Sequence, residues 1–178
     1  VFGVVGDSTV YASRYFDAGT APHGSQFFMM EDVDGFAYVC TDNIDTRSYS
    51  EVTMTIWVFV SSTSWESSDV LKVWIKGKHP DHGEQEVVLL ESTNFDHDDD
   101  VDEAVWQQIA GTAFGLDEVQ MCFGLESDHN QEEALFDDLR LSGLPRGATA
   151  CISLESRPAL PVAISIDYKP RSNITSGT

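Results

Sequence analysis

Gly124-Leu125-Glu126-Ser127-Asp128-His129-Asn130-Gln131-Glu132-Glu133-Ala134-Leu135-Phe136-Asp137-Asp138-Leu139-Arg140-Leu141-Ser142-Gly143 reads as the end of a strand, an acidic loop and a second strand. From Phe136 to Leu141 apolar and polar residues alternate, the period-2 signature of a half-buried strand. Asp137 stands one step from an apolar Phe at the head of that strand. An acid there has three explanations: a cation, a partner base, or only a turn.

Working outward, the same signature recurs. Glu51–Val60, EVTMTIWVFV, is rich in β-branched and aromatic residues and is the best strand in the chain. Val70–Lys76 and Gln85–Glu91 read as a hairpin across a Gly77–Glu84 turn. Lys72, Trp74 and Lys76 share one face of the first of these strands. Gln26–Met30, Phe36–Cys40 and Val119–Leu125 are further apolar runs. Val10–Phe16 and Val105–Ile109 are ambiguous between strand and helix. The count is about nine strands at roughly 10–15-residue spacing, with no amphipathic helix of about ten residues. This pattern predicts an all-β fold, an antiparallel β-sandwich of the jelly-roll kind.

After Gly143 the composition shifts. Pro145, Pro158, Pro161 and Pro170 are four of the chain's six prolines. The expected division is a sandwich over 1–143 and a Pro-rich tail or linker over 144–178, docking on a neighbour, with Pro161–Tyr168 as one extra strand.

Thirty acidic against 10 basic residues give a net charge of −20. Such a surface repels phosphate backbones and anionic lipid and welcomes divalent cations. Nucleic-acid binding is excluded on that ground. Membrane insertion through a helix is not expected, because no apolar run approaches the ~20 residues it needs. The chain opens on Val1-Phe2-Gly3-Val4-Val5 with no charged-apolar-small leader, as a mature or excised product would. Its three cysteines, Cys40, Cys122 and Cys151, make no CxxC pair. In a secreted protein Cys40–Cys122 is the simplest bridge, though three connectivities remain open. Asn173-Ile174-Thr175 is an N-glycosylation sequon, which favours secretion mildly.

Acids gather at strand ends: Glu31-Asp32-Val33-Asp34, Glu66 with Asp69, Asp96–Glu103, and Asp137-Asp138. In a sandwich, strand ends distant in sequence meet at one rim. Ca²⁺ takes six to eight oxygens from carboxylates and loop carbonyls. Asp32-x-Asp34-Gly35 offers two carboxylates on one side of a turn, and Glu66-Ser67-Ser68-Asp69 two more before a strand. The competing reading is solvated turn acids in a very acidic chain. Asp96, Asp98 and Asp100 have EF-hand spacing, but Val101 stands where that loop needs Gly and Gln107 where it needs a bidentate Glu. That run reads as a solvated loop.

Three segments carry a resemblance: Phe27-Phe28 with Glu31-Asp32-Val33-Asp34-Gly35, Trp65-Glu66-Ser67-Ser68-Asp69-Val70-Leu71-Lys72-Val73, and Glu132-Glu133 with Phe136-Asp137-Asp138-Leu139. Over about residues 5–143 the chain resembles extracellular jelly-roll modules, similar to galactose-binding-like and carbohydrate-binding-module sandwiches. The resemblance implies a structural calcium ion held by residues among Asp32, Asp34, Glu66, Asp69 and Asp137. It implies no particular ligand, since that class spans glycan binders, adhesion modules and structural units.

Enzyme signatures fail on inspection. Gly6-Asp7-Ser8 has the look of an esterase nucleophile block, but no Asp-x-x-His follows to supply the base. His79-Pro80-Asp81-His82 places two imidazoles in a hairpin turn without an obvious third ligand. Paired carboxylates suit a polysaccharide-active enzyme, yet any acidic sandwich offers them. Among the tryptophans, Trp57 reads as core, while Trp65 and Trp74 are candidates to stack on a sugar. The leading expectation is a non-catalytic, secreted or cell-surface module for adhesion or assembly, with other modules or copies of itself as partners. A glycan-binding module is the alternative, and a polysaccharide-active enzyme the third.

Overall fold

The structure is a computed structural model, which describes residues 2–3, 9–13, 22–23, 27–31, 33, 35–63, 65–93, 101–129 and 131–147. Asp32, Asp34, Asp96–Asp100, Gly6-Asp7-Ser8, Cys151, Asn173 and the tail from 148 on lie outside the described residues.

Among the described residues every regular element is a strand. They are β1 (Phe2–Gly3), β2 (Thr9–Ser13), β3 (Phe27–Glu31), β4 (Ala37–Cys40), β5 (Ile44–Asp45), β6 (Tyr49–Val60), β7 (Val70–His79), β8 (Gly83–Thr93), β9 (Gln107–Phe114), β10 (Glu118–Glu126) and β11 (Ala134–Pro145). All pair antiparallel, in two sheets: β1-β4-β10-β7-β8, with β5 also on β10, and β2-β3-β11-β6-β9. The fold is the antiparallel sandwich expected from the alternation. No helix among the described residues is long and apolar enough to cross a membrane.

The period-2 pattern explains the layers. Val52, Met54, Ile56, Val58 and Val60 of β6 point inward and are buried. They meet Leu71, Val73 and Ile75 of β7 and Val119, Met121, Phe123 and Leu125 of β10 in one core. Each such side chain contributes roughly 1.5–3 kcal/mol on burial. Phe136 of β11 joins them, its ring centroid 4.3 Å from that of Phe123.

Four details depart from the sequence reading. Among the described residues there are eleven strands rather than about nine, because the two-residue β1 and β5 carry too little pattern to detect. β9 begins at Gln107 and runs to Phe114, because small and polar residues at a sheet edge obscure its alternation. β11, expected to close at Leu141, runs to Pro145, with Ser142 and Gly143 pairing Thr53 and Val52. A Cβ on Gly143 would lie 2.5 Å from the Tyr49 ring, so any larger residue there would have to displace that ring. Trp57 is not core: it shares the outward parity of Thr53 and Thr55 on β6 and is half-buried.

Candidate functional site

Two places on the sandwich gather chemistry. The first is a rim. β6 pairs with β11 in one sheet and β7 with β10 in the other, so the β6–β7 and β10–β11 crossovers leave side by side. Ser61 joins them: its Oγ donates to the Gln131 carbonyl at 2.7 Å and accepts the Glu133 N–H at 3.0 Å. Here Glu66, Asp69, Asp128 and Glu132 each bring a carboxylate oxygen, all within 4.8 Å of one another.

Glu66 and Asp128 are exposed, whereas Asp69 and Glu132 are each 1% exposed. Oδ2 of Asp69 accepts the Glu66 N–H, and Oε2 of Glu132 accepts the His129 N–H at 3.0 Å. Among the described residues no Lys or Arg forms an ion pair with any of the four. Burial, then a hydrogen bond that protonated Glu132 donates to Glu66 and the charges of Asp69 and Glu66, push Glu132 up to about 8. Burial, with the Glu66 and Asp128 charges, pushes Asp69 up to about 6, against the lowering effect of the Glu66 N–H.

This donor set is all oxygen, the preference of a hard cation. Two ligands of one Ca²⁺ lie at most about 5.2 Å apart, twice the longest usual Ca–O distance. The observed spread of 4.8 Å fits.

The structure thus brings together Glu66 and Asp69 from the expected set. It adds Asp128 and Glu132, which sequence reasoning did not select. Val33, between Asp32 and Asp34, donates its N–H to Ser127 Oγ at 3.4 Å and accepts the Ser127 N–H at 3.2 Å, one residue from Asp128. Asp137 is not in the cluster. It lies three residues along β11 from Ala134, about 10 Å at strand spacing. Its oxygens accept backbone N–H groups from His23, at 2.8 Å, and Asp138, at 2.7 Å. Asp138 occupies a β-bulge with φ 50° and pairs with Arg140 at 2.7 Å. Asp137 therefore organises a bulge, the turn explanation of the three.

The second place is a groove of about 500 Å³ on the outer face of the six-stranded sheet. Phe36, Tyr38, Cys40, Lys72, Trp74, Lys76, Glu86 and Gln120 line it. Opposite parity to the core puts these side chains outward. Cys40, Cys122 and Trp74 stand in one row across β4, β10 and β7, and Cys40 and Cys122 are joined by a disulfide. Trp74 packs at a tilt against Phe36, at 6.1 Å, and Tyr38, at 5.8 Å between centroids. Lys72 covers it, its Nζ 5.4 Å from the indole centroid and 2.7 Å from Glu86. Trp74 is consequently 5% exposed, and Tyr38, at 36%, is the open ring of the floor. Gly124 makes this possible, since a Cβ there would lie 2.6 Å from the Ala37 carbonyl and 2.8 Å from Phe36.

Trp65, expected to face a ligand, is instead core. It is 3% exposed, with its indole N–H donated to the Ser61 carbonyl at 3.0 Å. Satisfying that polar tip at the start of the crossover lets the whole ring bury. His79 and His82 stack at 4.5 Å in the β7–β8 turn, and Nδ1 of His79 accepts the Asp81 N–H at 3.1 Å.

No family model matches the sequence, and no curated protein matches it. Solved structures do resemble it. The CBM22-1 xylan-binding domain of Paenibacillus barcinonensis Xyn10C aligns with a TM-score of 0.49 at 15% identity, over 81% of this chain and 86% of that one. TmCBM61, solved with beta-1,4-galactotriose, gives 0.48 at 12% identity over 75% and 81%. The CBM22-1-GH10 modules of Clostridium thermocellum xylanase 10B, complexed with xylohexaose, give 0.46 at 16% over 81% and 26%. These are carbohydrate-binding-module sandwiches.

Proposed function

We propose that this chain is a non-catalytic, extracellular glycan-binding module whose site is the groove on the six-stranded sheet. The carrying observation is Tyr38: an aromatic ring 36% exposed on a floor of Phe36, Trp74 and a disulfide, rimmed by Lys72, Lys76, Glu86 and Gln120. A sugar ring has an apolar face and a hydroxyl edge, and the floor suits the first while the rim suits the second. A glycan array followed by calorimetry tests this, and no binding across neutral and charged glycans would sink it.

Sequence alone ranks adhesion or assembly first, and the groove reverses that order. The catalytic alternative needs carboxylates that touch substrate. Asp69 and Glu132, whose pKa values are raised, are each 1% exposed, and the groove's one carboxylate, Glu86, is closed on Lys72.

We further propose that Glu66, Asp69, Asp128 and Glu132 hold a structural Ca²⁺ tying the two crossovers together. The ion would relieve four like charges crowded within 4.8 Å. A disulfide between Cys40 and Cys122 accords with an oxidising, extracellular setting. The sandwich then serves as one unit of a larger protein, with 144–178 as its connection to neighbouring modules.

A further inference from the structure

Resting on the glycan-binding reading, we infer that the groove takes a carboxylate-bearing glycan, one rich in uronic acid, and that Lys76 is the residue that contacts the carboxylate. The chain has four lysines, and three of them, Lys72, Lys76 and Lys78, alternate along β7 with the parity of Trp74. In a protein of net charge −20, two of the four lysines line the aromatic floor. The groove lining holds two lysines and one glutamate, a local balance opposite in sign to the whole.

The three lysines are not equivalent. Lys72 is 19% exposed and held by Glu86 at 2.7 Å and Glu91 at 3.6 Å, so its charge is spent within the sheet. Lys78 stands opposite Glu84 on one neighbouring strand and Glu118 on the other, and it is not part of the groove lining. Lys76 stands between Glu86 and Gln120. Gln120 is neutral and donates its amide to the Thr41 carbonyl at 2.8 Å. A cross-strand pair with Glu86 would account for Lys76 without a ligand, but the Glu86 carboxylate is turned onto Lys72. Lys76 is exposed at the groove wall and forms no ion pair among the described residues. An ammonium beside an apolar floor satisfies a sugar carboxylate while the pyranose face rests on Tyr38.

The test is calorimetry on the full chain with oligogalacturonate, alginate oligomers and glucuronate-substituted xylan, each against its carboxyl-reduced counterpart. The acidic form of at least one should bind about tenfold tighter than its neutral twin, the effect of one charge-assisted contact. That preference should shrink as salt is raised. Lys76→Gln should lower the acidic ligand's affinity about tenfold and flatten its salt dependence, while Lys78→Gln should not. Equal or tighter binding of the neutral forms overturns the inference and leaves the glycan reading standing. Absence of binding to every member of the set and to a wider neutral panel overturns both.

Discussion

Asp69 and Glu132 sit in adjacent crossovers, each 1% exposed, with carboxylate oxygens within 4.8 Å. Two buried acids that close require either a shared proton or a cation. The proposed ion should therefore be visible in stability. Saturating Ca²⁺ adds about 2.7 kcal/mol at a hundred times Kd, and Glu132→Gln should abolish that increment. A thermal midpoint indifferent to Ca²⁺ and EDTA would discard the metal site.

The same pair sets a pH dependence. Glu132 rises from its ordinary 4.5 to about 8, so the metal-free folded state keeps a proton that the unfolded chain releases. That contribution is complete below about 4.5 and is lost as pH climbs through about 8. Asp69 acts in the same sense between 3.8 and about 6. In EDTA the melting midpoint should fall from pH 5 to pH 8. The Ca²⁺-induced rise should grow over that interval, because the ion binds the deprotonated acids. Parallel curves with and without calcium would contradict this.

Tyr38→Ala should weaken glycan binding about tenfold, the loss of one stacked aromatic contact, with the fold retained because the ring is partly exposed. Trp74→Ala removes a buried ring and should lower both affinity and melting temperature. Titration calorimetry with a parallel melt separates the two effects.

Gly124→Ala places a methyl 2.6 Å from the Ala37 carbonyl, on backbone rather than a movable side chain. Overpacking of this kind costs about 1–3 kcal/mol. It should also displace Phe36 and lower glycan affinity. An unchanged denaturation midpoint would show that β4 and β10 can separate freely.

Much of this was legible from pattern alone, where alternation was strong. β6, β7, β8 and β10 announce themselves because buried and exposed positions differ sharply in residue type. Parity likewise sends Lys72, Trp74 and Lys76 to one face. The groove's other side was hidden, because Tyr38 lies in an apolar run, and only its register against Gly124 places it outward. Glu132 was hidden for a different reason. It looks like one more acid in a polar loop, and its burial follows from two crossovers meeting, which no local window contains. Asp137 drew attention for its position beside Phe136; its carboxylate accepts the His23 and Asp138 N–H groups at the bulge and lies outside the four-acid cluster.

The Cys40–Cys122 disulfide ties neighbouring strands of one sheet across a sequence separation of 82. Seen mechanically, it is a limiter. When the chain is pulled from its two ends, tension passes from β4 to β10 through sulfur and bypasses everything between. About 280 Å of contour length, 82 residues at ~3.4 Å each, stays out of reach of the pull. β6, β7, β8 and β9 fall inside that loop, as do Trp74, the three lysines of β7 and the Glu66–Asp69 turn. The pull therefore reaches Trp74 and the β7 lysines only through their sheet neighbours, never along their own backbone.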